Sequence, residues 1–327
     1  MRVNVDRPRR RGRLRWCLAV AGLLVLALLA GLSLDAARLV SQVQRLDLPA
    51  VAAQAPGETW VIVGSDNRAY KPEGEDLYGA GQAGPGDRAD LILVVQVPAG
   101  GAQPARVMSV PRDLLLILDQ GPNRLNLTLN DGPAAFAQAM CTGLGIPVEH
   151  LVVVTMKGLV EVVDALGGLE LDVVEPVDDP KAHLVLAAGR QVLDGETVLA
   201  LVRSRHPSGD VAADGDQVAQ ANHGTWARAS NGALVFAALA EQARGALTQP
   251  LVARRLAYAA AGGVWVDRGT GLFDLAGVLR QVAGSDTEPV VLTVQDTESD
   301  ILKFPSEQTY AELADWGYVP GACAVAQ

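Results

Sequence analysis

The 327-residue chain is 49% hydrophobic and carries a formal net charge of −10. Its first fifteen residues contain seven arginines and one aspartate, so a charge of about −16 remains for the other residues. An acidic domain of this kind argues against non-specific nucleic-acid binding. The three cysteines and four histidines show no zinc-type spacing, and the sequence contains neither a P-loop nor a nucleophile elbow.

An uncharged run of 19 residues, 16–34, follows the basic start of the chain. This length suffices to cross a bilayer core, so we predict one transmembrane anchor there. A cleaved signal peptide is the alternative, although Ala19-Val20-Ala21 comes too early in the run to serve as its cleavage site. With the uncleaved anchor, the protein would be a single-pass protein of the cell membrane. Residues 1–15 would be cytoplasmic, and the part after the anchor would be extracytoplasmic.

The rest of the chain is predicted to form a juxtamembrane helix and linker, residues 35–58, and one domain, residues 59–327. Within the domain, runs typical of strands alternate with runs typical of helices. The strand candidates are Trp60–Val63, Leu91–Val95, Arg106–Val110, Leu151–Met156, Leu169–Val174 and Val290–Val294. The helix candidates are Gly132–Leu144, Leu159–Leu166, Gln191–Leu201, Leu251–Ala261, Gly271–Val282 and Ser306–Trp316, with a polar loop at Asn123–Asn130. This alternation predicts a layered α/β domain large enough for a full core.

Two of the predicted strands carry an aspartate and an arginine at one end. Asp66 and Arg68 follow the first strand, and Arg88 and Asp90 precede the second. Two carboxylates that converge on one point suit Mg²⁺, and arginines hold phosphate oxygens through charge-assisted hydrogen bonds. The alternative is structural: Asp66 would cap a turn, and Arg88 and Asp90 would form a surface pair.

Two cysteines, Cys141 and Cys323, lie outside the predicted anchor. An extracytoplasmic location permits oxidation, so a disulfide between them is compatible with the sequence. The sequence alone does not show whether their Cα atoms come close enough to be bridged.

Five motifs occur along the chain in a definite order, at Val63–Arg68, Arg88–Asp90, Met108–Asp113, Val163–Gly168 and Leu193–Arg205. In residue type and order they resemble the LytR-CpsA-Psr family over about residues 59–230. The resemblance implies an α-β-α fold, with a mixed central sheet between helices and an apolar tunnel for a lipid tail. It also implies a transferase that moves a glycopolymer from a polyprenyl pyrophosphate carrier to peptidoglycan or another cell-envelope acceptor.

The resemblance also implies roles for individual residues. Asp66 and Asp90 would be the carboxylate ligands of Mg²⁺ (or Mn²⁺), because a metal and arginines stabilise the charge that develops in phosphoryl transfer. The catalytic group would comprise Asp66, Arg68, Arg88, Asp90 and Arg112. The pyrophosphate would contact Arg88, Arg124, Arg203, Arg205 and Gln217. Two structural alternatives stay open: Arg203 and Arg205 as a solvated pair, and Arg112–Asp113 as a local salt bridge.

One segment departs from the family pattern. After Gly209-Asp210 the family usually has two further arginines, and the positions that align with them are Ala213 and Asp216. Asp214 adds another negative charge to this segment. The change weakens anion binding beside the proposed pyrophosphate site, because like charges repel.

Three functions remain compatible with these residues. The first is an active transferase with a modified arginine clamp. The second is a non-catalytic relative that binds lipid-linked polymer or acts as a scaffold in envelope assembly, and the third is a polyprenyl pyrophosphate hydrolase. The transferase further predicts an apolar cavity beside the arginines, whereas in a close-packed core Leu159, Val163 and Leu166 would simply fill the interior.

Overall fold

The structure is a computed structural model that describes residues 30–325 except 32, 54, 67–87, 102, 174–175, 205–210, 213–224, 247, 285–288 and 296–301. The chain divides into two compact units, Met1–Val43 and Gln44–Gln327. In the first unit, helix α1 occupies residues 30–42 apart from residue 32. No helix in the described part of the chain combines the length and the apolar content needed to cross a membrane. Most of the predicted anchor, residues 16–34, lies outside the described residues.

The second unit is built on a mixed sheet in which seven strands are described. In sheet order these are β1 (Gln44–Leu46), β14 (Val264–Asp267), β8 (His150–Thr155), β3 (Glu58–Ser65), β4 (Ala89–Val97), β5 (Arg106–Ser109) and β15 (Val290–Val291). The pairs β1–β14, β8–β3 and β5–β15 are parallel, and the other three pairs are antiparallel. The fold is therefore the α/β fold with a central mixed sheet that the sequence predicts.

Shorter strands form small sheets around this one. They are the hairpins β6–β7 (Leu115–Leu118, Gly121–Arg124) and β10–β11 (Val177–Asp179, Leu184–Leu186), the pair β2–β16 (Val51–Ala53, Cys323–Val325), and a three-stranded sheet of β12 (Gly189–Leu193), β9 (Leu169–Val173) and β13 (Val211–Ala212). The helices of this unit are α2 (Pro133–Leu144), α3 (Met156–Leu166), α4 (Gly195–Arg203), α5 (Thr225–Ala246), α6 (Pro250–Gly263), α7 (Leu272–Ala283) and α8 (Glu307–Asp315). Among the residues that the structure describes, Ala99–Gly101 and Leu125–Asp131 form 3-10 helices.

Successive side chains of the central strands point to opposite faces of the sheet. On one face, Val61 and Val63 of β3 join a core that includes Phe136 of α2 and Leu313 of α8. On the other face, Ile62 of β3 points towards helices α3, α4 and α5. A second core lies among α3, α4, α5 and β9, and includes Val163, Leu171, Leu201 and Leu234. The sheet therefore lies between two layers of helices.

Several elements differ from their sequence-based predictions. The predicted linker, residues 35–58, contains the strands β1 and β2. β1 pairs with β14 at the edge of the central sheet, and β2 pairs with β16. The predicted polar loop Asn123–Asn130 is the end of β7 followed by a 3-10 helix. The predicted helix Gln191–Leu201 begins only at Gly195, because Asp194 caps its N-terminus by accepting a hydrogen bond from Thr197 N at 2.9 Å. The first residues of the predicted helix, 191–193, instead belong to strand β12, which pairs with β9.

Candidate active site

The candidate site is built around the ends of β3 and β4. Asp66 directly follows β3, and its backbone N–H donates a hydrogen bond to Arg88 O at 3.0 Å. Arg88 N in turn donates to Asp66 Oδ1 at 3.1 Å. The carboxylate of Asp66 is thus held against the start of the next strand, which agrees with the turn-capping alternative and also brings the predicted acid beside β4.

A β-bulge presents Asp90. Gly64 pairs with Leu91 while Ser65 pairs with Ala89, so Asp90 is the extra residue of β4. Bulges of this kind redirect side chains and often lie beside active sites. The side chain of Asp90 is 25% exposed, and its Oδ1 accepts a hydrogen bond from Nη1 of Arg112 rather than pairing with Arg88 within the described ranges.

Arg112 lies in the turn after β5 and bridges two carboxylates. Its Nη1 pairs with Asp90, and its Nε donates to Asp113 Oδ2 at 3.1 Å. Burial opposes the charge of this guanidinium, but the attraction of Asp90 and Asp113 outweighs burial and raises the pKa of Arg112. Arg112 is therefore a permanent cation next to β4. The predicted local salt bridge with Asp113 is present, and the contact with Asp90 is an additional one.

Asp113 extends this network to Arg124. Arg124 Nη1 lies 3.7 Å from Asp113 Oδ1, and Nδ2 of Asn126 donates to the same oxygen at 3.4 Å. We call Asp90, Arg112, Asp113 and Arg124 the acid–arginine network. Asp113 was considered in the sequence only as a salt-bridge partner of Arg112. Its place in the motif Met108–Asp113, next to Arg112, is the sequence signal that it belongs to the site.

Arg203 lies near Asp90 but belongs to helix α4, and both residues line one cavity. It is the last residue of α4, and its Nη1 donates to Met156 Sδ at 3.8 Å. The end of α4 is fixed by Ser204, the residue after Arg203. The buried Ser204 Oγ donates a hydrogen bond to the buried Asp179 Oδ2 at 2.5 Å. A cation at the C-terminus of a helix is also favoured by the helix dipole.

An apolar cavity of about 110 Å³ lies between the sheet and helices α3, α4 and α5. Aliphatic and aromatic side chains form most of its wall, and polar residues, among them Asp90 and Arg203, occupy a small part of it. The apolar wall includes Ile62, Leu91, Leu93, Leu159, Val235 and Phe236. An apolar cavity is thus present beside the predicted arginines. Leu159, Val163 and Leu166 would all fill the interior of a close-packed core. In the structure Leu159 lines the cavity, Val163 is fully buried in the second core, and Leu166 is half-buried.

The carboxylates of Asp66 and Asp90 suit a hard divalent cation by donor type. Among the described residues, no group of three histidine, cysteine, aspartate or glutamate side chains is arranged to hold a metal. Mg²⁺, however, is usually held by one or two carboxylates together with substrate phosphates and water. Asp66 and Asp90, near the ends of neighbouring strands, supply carboxylates of that kind. The other predicted site residues, Arg68, Arg205 and Gln217, and the altered positions Ala213 and Asp216, lie outside the described residues.

Comparison with known proteins gives a consistent picture. The chain matches the LytR_cpsA_psr family over residues 41–219. It is 35% identical over 171 residues to the probable cell wall biosynthesis protein LcpB of Corynebacterium glutamicum, which is 50% of this chain and 41% of that protein. The cell wall biosynthesis protein LcpA of the same organism is 28% identical over 232 residues, 61% of this chain and 42% of that protein. The matched part of the chain thus spans about two fifths of the length of each relative.

Solved structures share the fold. A LytR-Csp2A-Psr enzyme from Actinomyces oris superimposes with a TM-score of 0.69 at 33% identity, covering 87% of this chain and 99% of that chain. A structure of TagT bound to LI-WTA has a TM-score of 0.54 at 18% identity, covering 79% of this chain and 89% of that chain. At 18% identity the second likeness shows the fold alone.

Proposed function

Because the chain belongs to the LytR-CpsA-Psr family, we propose that it acts in cell wall biosynthesis by transferring a glycopolymer from a polyprenyl pyrophosphate carrier to peptidoglycan or another envelope acceptor. The relatives named as cell wall biosynthesis proteins support the process. The related structure from Actinomyces oris, which is named an enzyme, supports an enzymatic role, and TagT shows that a protein of this fold binds LI-WTA.

One observation carries the proposal: the apolar cavity borders charged residues from the central sheet and from helix α4. Asp90 and Arg203 form part of its wall, and Asp90 is bonded to Arg112. An apolar cavity with arginines beside it suits an amphiphilic ligand that has a hydrocarbon tail and an anionic head. Burial of the tail removes apolar surface from water, and the arginines bind phosphate oxygens by charge-assisted hydrogen bonds.

The reaction we propose is attack of an acceptor hydroxyl on the phosphorus next to the glycan. The bond from this phosphorus to the bridging oxygen breaks, polyprenyl monophosphate leaves, and the hydroxyl proton passes to a carboxylate of the site. Arg112, Arg124 and Arg203 would stabilise the negative charge on the phosphate oxygens, which is most of the catalytic work in phosphoryl transfer. Mg²⁺ (or Mn²⁺), held by Asp66 and Asp90, would when bound neutralise further pyrophosphate charge.

A second candidate function rests on the altered segment. Ala213 and Asp216 stand where the family usually has arginines, and Asp214 adds a negative charge. Such a segment favours a protein that binds the lipid-linked polymer without transferring it, because the anion clamp is weaker. A hydrolase, in which water replaces the acceptor hydroxyl, uses the same residues.

One assay separates the three functions. The purified protein is incubated with a polyprenyl pyrophosphate oligosaccharide that is labelled in the glycan, together with peptidoglycan and MgCl₂. We expect the label to become attached to peptidoglycan. Label recovered as free phosphorylated glycan would indicate hydrolysis. Label that stays on the lipid while the lipid co-purifies with the protein would indicate the binding function.

A further inference from the structure

Asp113 lies at the centre of the contacts that hold the arginines of the site. Its side chain is 6% exposed. Asp113 Oδ2 accepts from Arg112 Nε at 3.1 Å, whereas Oδ1 accepts from Asn126 Nδ2 at 3.4 Å and lies 3.7 Å from Arg124 Nη1. One buried carboxylate thus meets two guanidinium groups from different segments of the chain.

The backbone around Asp113 is fixed from two sides. Asn126 N donates to Arg112 O at 3.0 Å and Leu125 N donates to Leu114 O at 2.9 Å, so the 3-10 helix is bonded to the turn that follows β5. From another part of the chain, Lys303 N donates to Asp113 O at 3.2 Å. These bonds give the carboxylate a defined place relative to both arginines.

The two carboxylates that bind Arg112 differ in exposure. The side chain of Asp90 is 25% exposed and lines the cavity, whereas that of Asp113 is 6% exposed and is not part of the cavity wall. An anionic head group that enters beside Asp90 competes with Asp90 for the guanidinium, because both are anions. The bond from Arg112 Nε to Asp113 lies on the other, buried side and can persist while the Nη1 end changes partner.

We propose, on the basis of the proposed function, that Asp113 is a positioning residue: it aligns Arg112 and Arg124 as a preformed clamp for a prenyl-linked pyrophosphate. Asp113 acts through the two arginines and does not itself contact substrate. Its burial, its two hydrogen-bond donors and the nearby Arg124 keep its oxygens away from a polymeric acceptor. A preformed clamp binds a pyrophosphate more tightly because the side chains lose less freedom on binding.

The test compares two probes that share a tail, geranylgeranyl pyrophosphate and geranylgeraniol, by calorimetry at fixed salt with MgCl₂. For Asp113→Asn we expect about tenfold weaker binding of the pyrophosphate, the loss expected when one charge-assisted hydrogen bond is misaligned. Binding of the alcohol should stay within about twofold, because it depends on the cavity alone. Asp131→Asn, which removes an exposed acid at the end of the same 3-10 helix, is the matched control and should change neither value.

A second comparison separates positioning from a general loss of structure. In a protein that already carries Arg112→Gln and Arg124→Gln, adding Asp113→Asn should weaken pyrophosphate binding by less than about twofold, since coupled residues are not additive. Should Asp113→Asn fail to fold, Asp113→Glu keeps the charge and displaces it by one methylene. It should weaken binding of the pyrophosphate and not of the alcohol.

Each remaining outcome has one reading. If Asp113→Asn, or Asp113→Glu where it is the variant that folds, binds both probes as the wild type does, or weakens both equally, the positioning role is overturned and the proposed function stands. The role is equally overturned if Asp113→Asn weakens pyrophosphate binding in the absence of both arginines as much as in their presence. If the wild-type protein does not prefer the pyrophosphate to the alcohol, the proposed function fails, and the inference fails with it.

Discussion

His150 and Asp267 form a partly buried pair at the end of the sheet where β8 begins. His150 Nδ1 lies 2.9 Å from Thr270 Oγ1 and 3.7 Å from Asp267 Oδ2, and the His150 ring stacks on Trp60. Burial lowers the pKa of His150, but the nearby Asp267 carboxylate outweighs burial and raises it. Burial raises the pKa of Asp267, but the nearby His150 and the hydrogen bonds from Thr270 and Leu151 N outweigh burial and lower that pKa to about 2.

This pair predicts a definite dependence of stability on pH. The contribution of His150 is complete below pH 6.5, its ordinary pKa, and is lost as the pH rises through its higher folded-state pKa. The contribution of Asp267, about 2 kcal/mol, is complete above its ordinary pKa of 3.8 and is lost as the pH falls towards 2. Urea unfolding between pH 5.5 and 8.5 should therefore show a falling free energy of unfolding in the wild type and a smaller fall in His150→Gln. Parallel curves for the two proteins would contradict the assignment.

At the scale of residues, the sequence predicted which of the site candidates lie near one another better than it predicted their bonding partners. Asp66, Arg88, Asp90 and Arg112 do come together, because the strands that carry them are neighbours. Asp90, which bonds Arg112, is the extra residue of a β-bulge opposite Gly64 and Ser65, and this bulge has no periodic signal in the sequence. The central position of Asp113 was equally hidden, because its partner Arg124 belongs to a hairpin whose docking is a tertiary contact.

At the scale of elements, strongly periodic segments were predicted well and α5 was missed. Helices α2, α3, α6, α7 and α8 and strands β3, β4, β5, β8 and β9 lie close to their predicted places. Helix α5 (Thr225–Ala246) is rich in alanine, with glycine and asparagine among its buried positions, so it lacks a contrast between apolar and polar faces. Its importance lies in the cavity, where it supplies Gly232, Val235 and Phe236.

Gly232 makes a prediction about this helix. A Cβ added at Gly232 would lie 2.4 Å from Leu91 Cδ1, so the Leu91 side chain must move, and both residues line the cavity. We expect Gly232→Ala to narrow the cavity and weaken binding of geranylgeraniol by about tenfold, the loss expected when roughly two methylenes no longer fit. Gly245→Ala in the same helix is the matched control, because no atom lies within 4 Å of the added Cβ. Equal binding by the two variants would show that the tail does not enter this cavity.

The segment at residues 209–218 carries a separate prediction. If Ala213 and Asp216 face the pyrophosphate, the double variant Ala213→Arg/Asp216→Arg should bind geranylgeranyl pyrophosphate more tightly. Each new charge-assisted hydrogen bond adds up to about 1.5–3 kcal/mol before screening by salt. Turnover improves only if the new arginines also hold the transition state. Equal affinities of the wild type and the double variant at fixed salt would contradict our alignment of this segment.

At the scale of the whole molecule, a disulfide joins the C-terminal strand to the first core. Cys141 of α2 and Cys323 of β16 are bonded, with their Cα atoms 5.7 Å apart and a sequence separation of 182. The sequence left this pairing open, because only the fold brings β16 and β2 beside α2. A crosslink over so long a loop restricts the unfolded chain.

Removal of this crosslink should lower stability without changing the site. We expect Cys141→Ala/Cys323→Ala to lower the free energy of unfolding by about 2–5 kcal/mol, and a reductant to have the same effect on the wild type. Thermal unfolding with and without reductant measures both. Binding of geranylgeranyl pyrophosphate well below the unfolding temperature serves as the control and should be unchanged. A variant as stable as the oxidised wild type would show that the crosslink does not contribute to stability.

The central claim concerns the fate of one phosphorus atom. A polyprenyl pyrophosphate glycan labelled at the phosphorus next to the glycan is incubated with peptidoglycan, MgCl₂ and either the wild-type protein or Arg112→Gln, which removes one cation from the site. Transfer as proposed predicts that the wild type moves this phosphorus into a covalent link between glycan and peptidoglycan, releasing unlabelled polyprenyl monophosphate, and that Arg112→Gln does so at least about tenfold more slowly. Labelled phosphorus that stays on the lipid, or that leaves only as free glycan phosphate, would contradict the claim that this protein is a transferase.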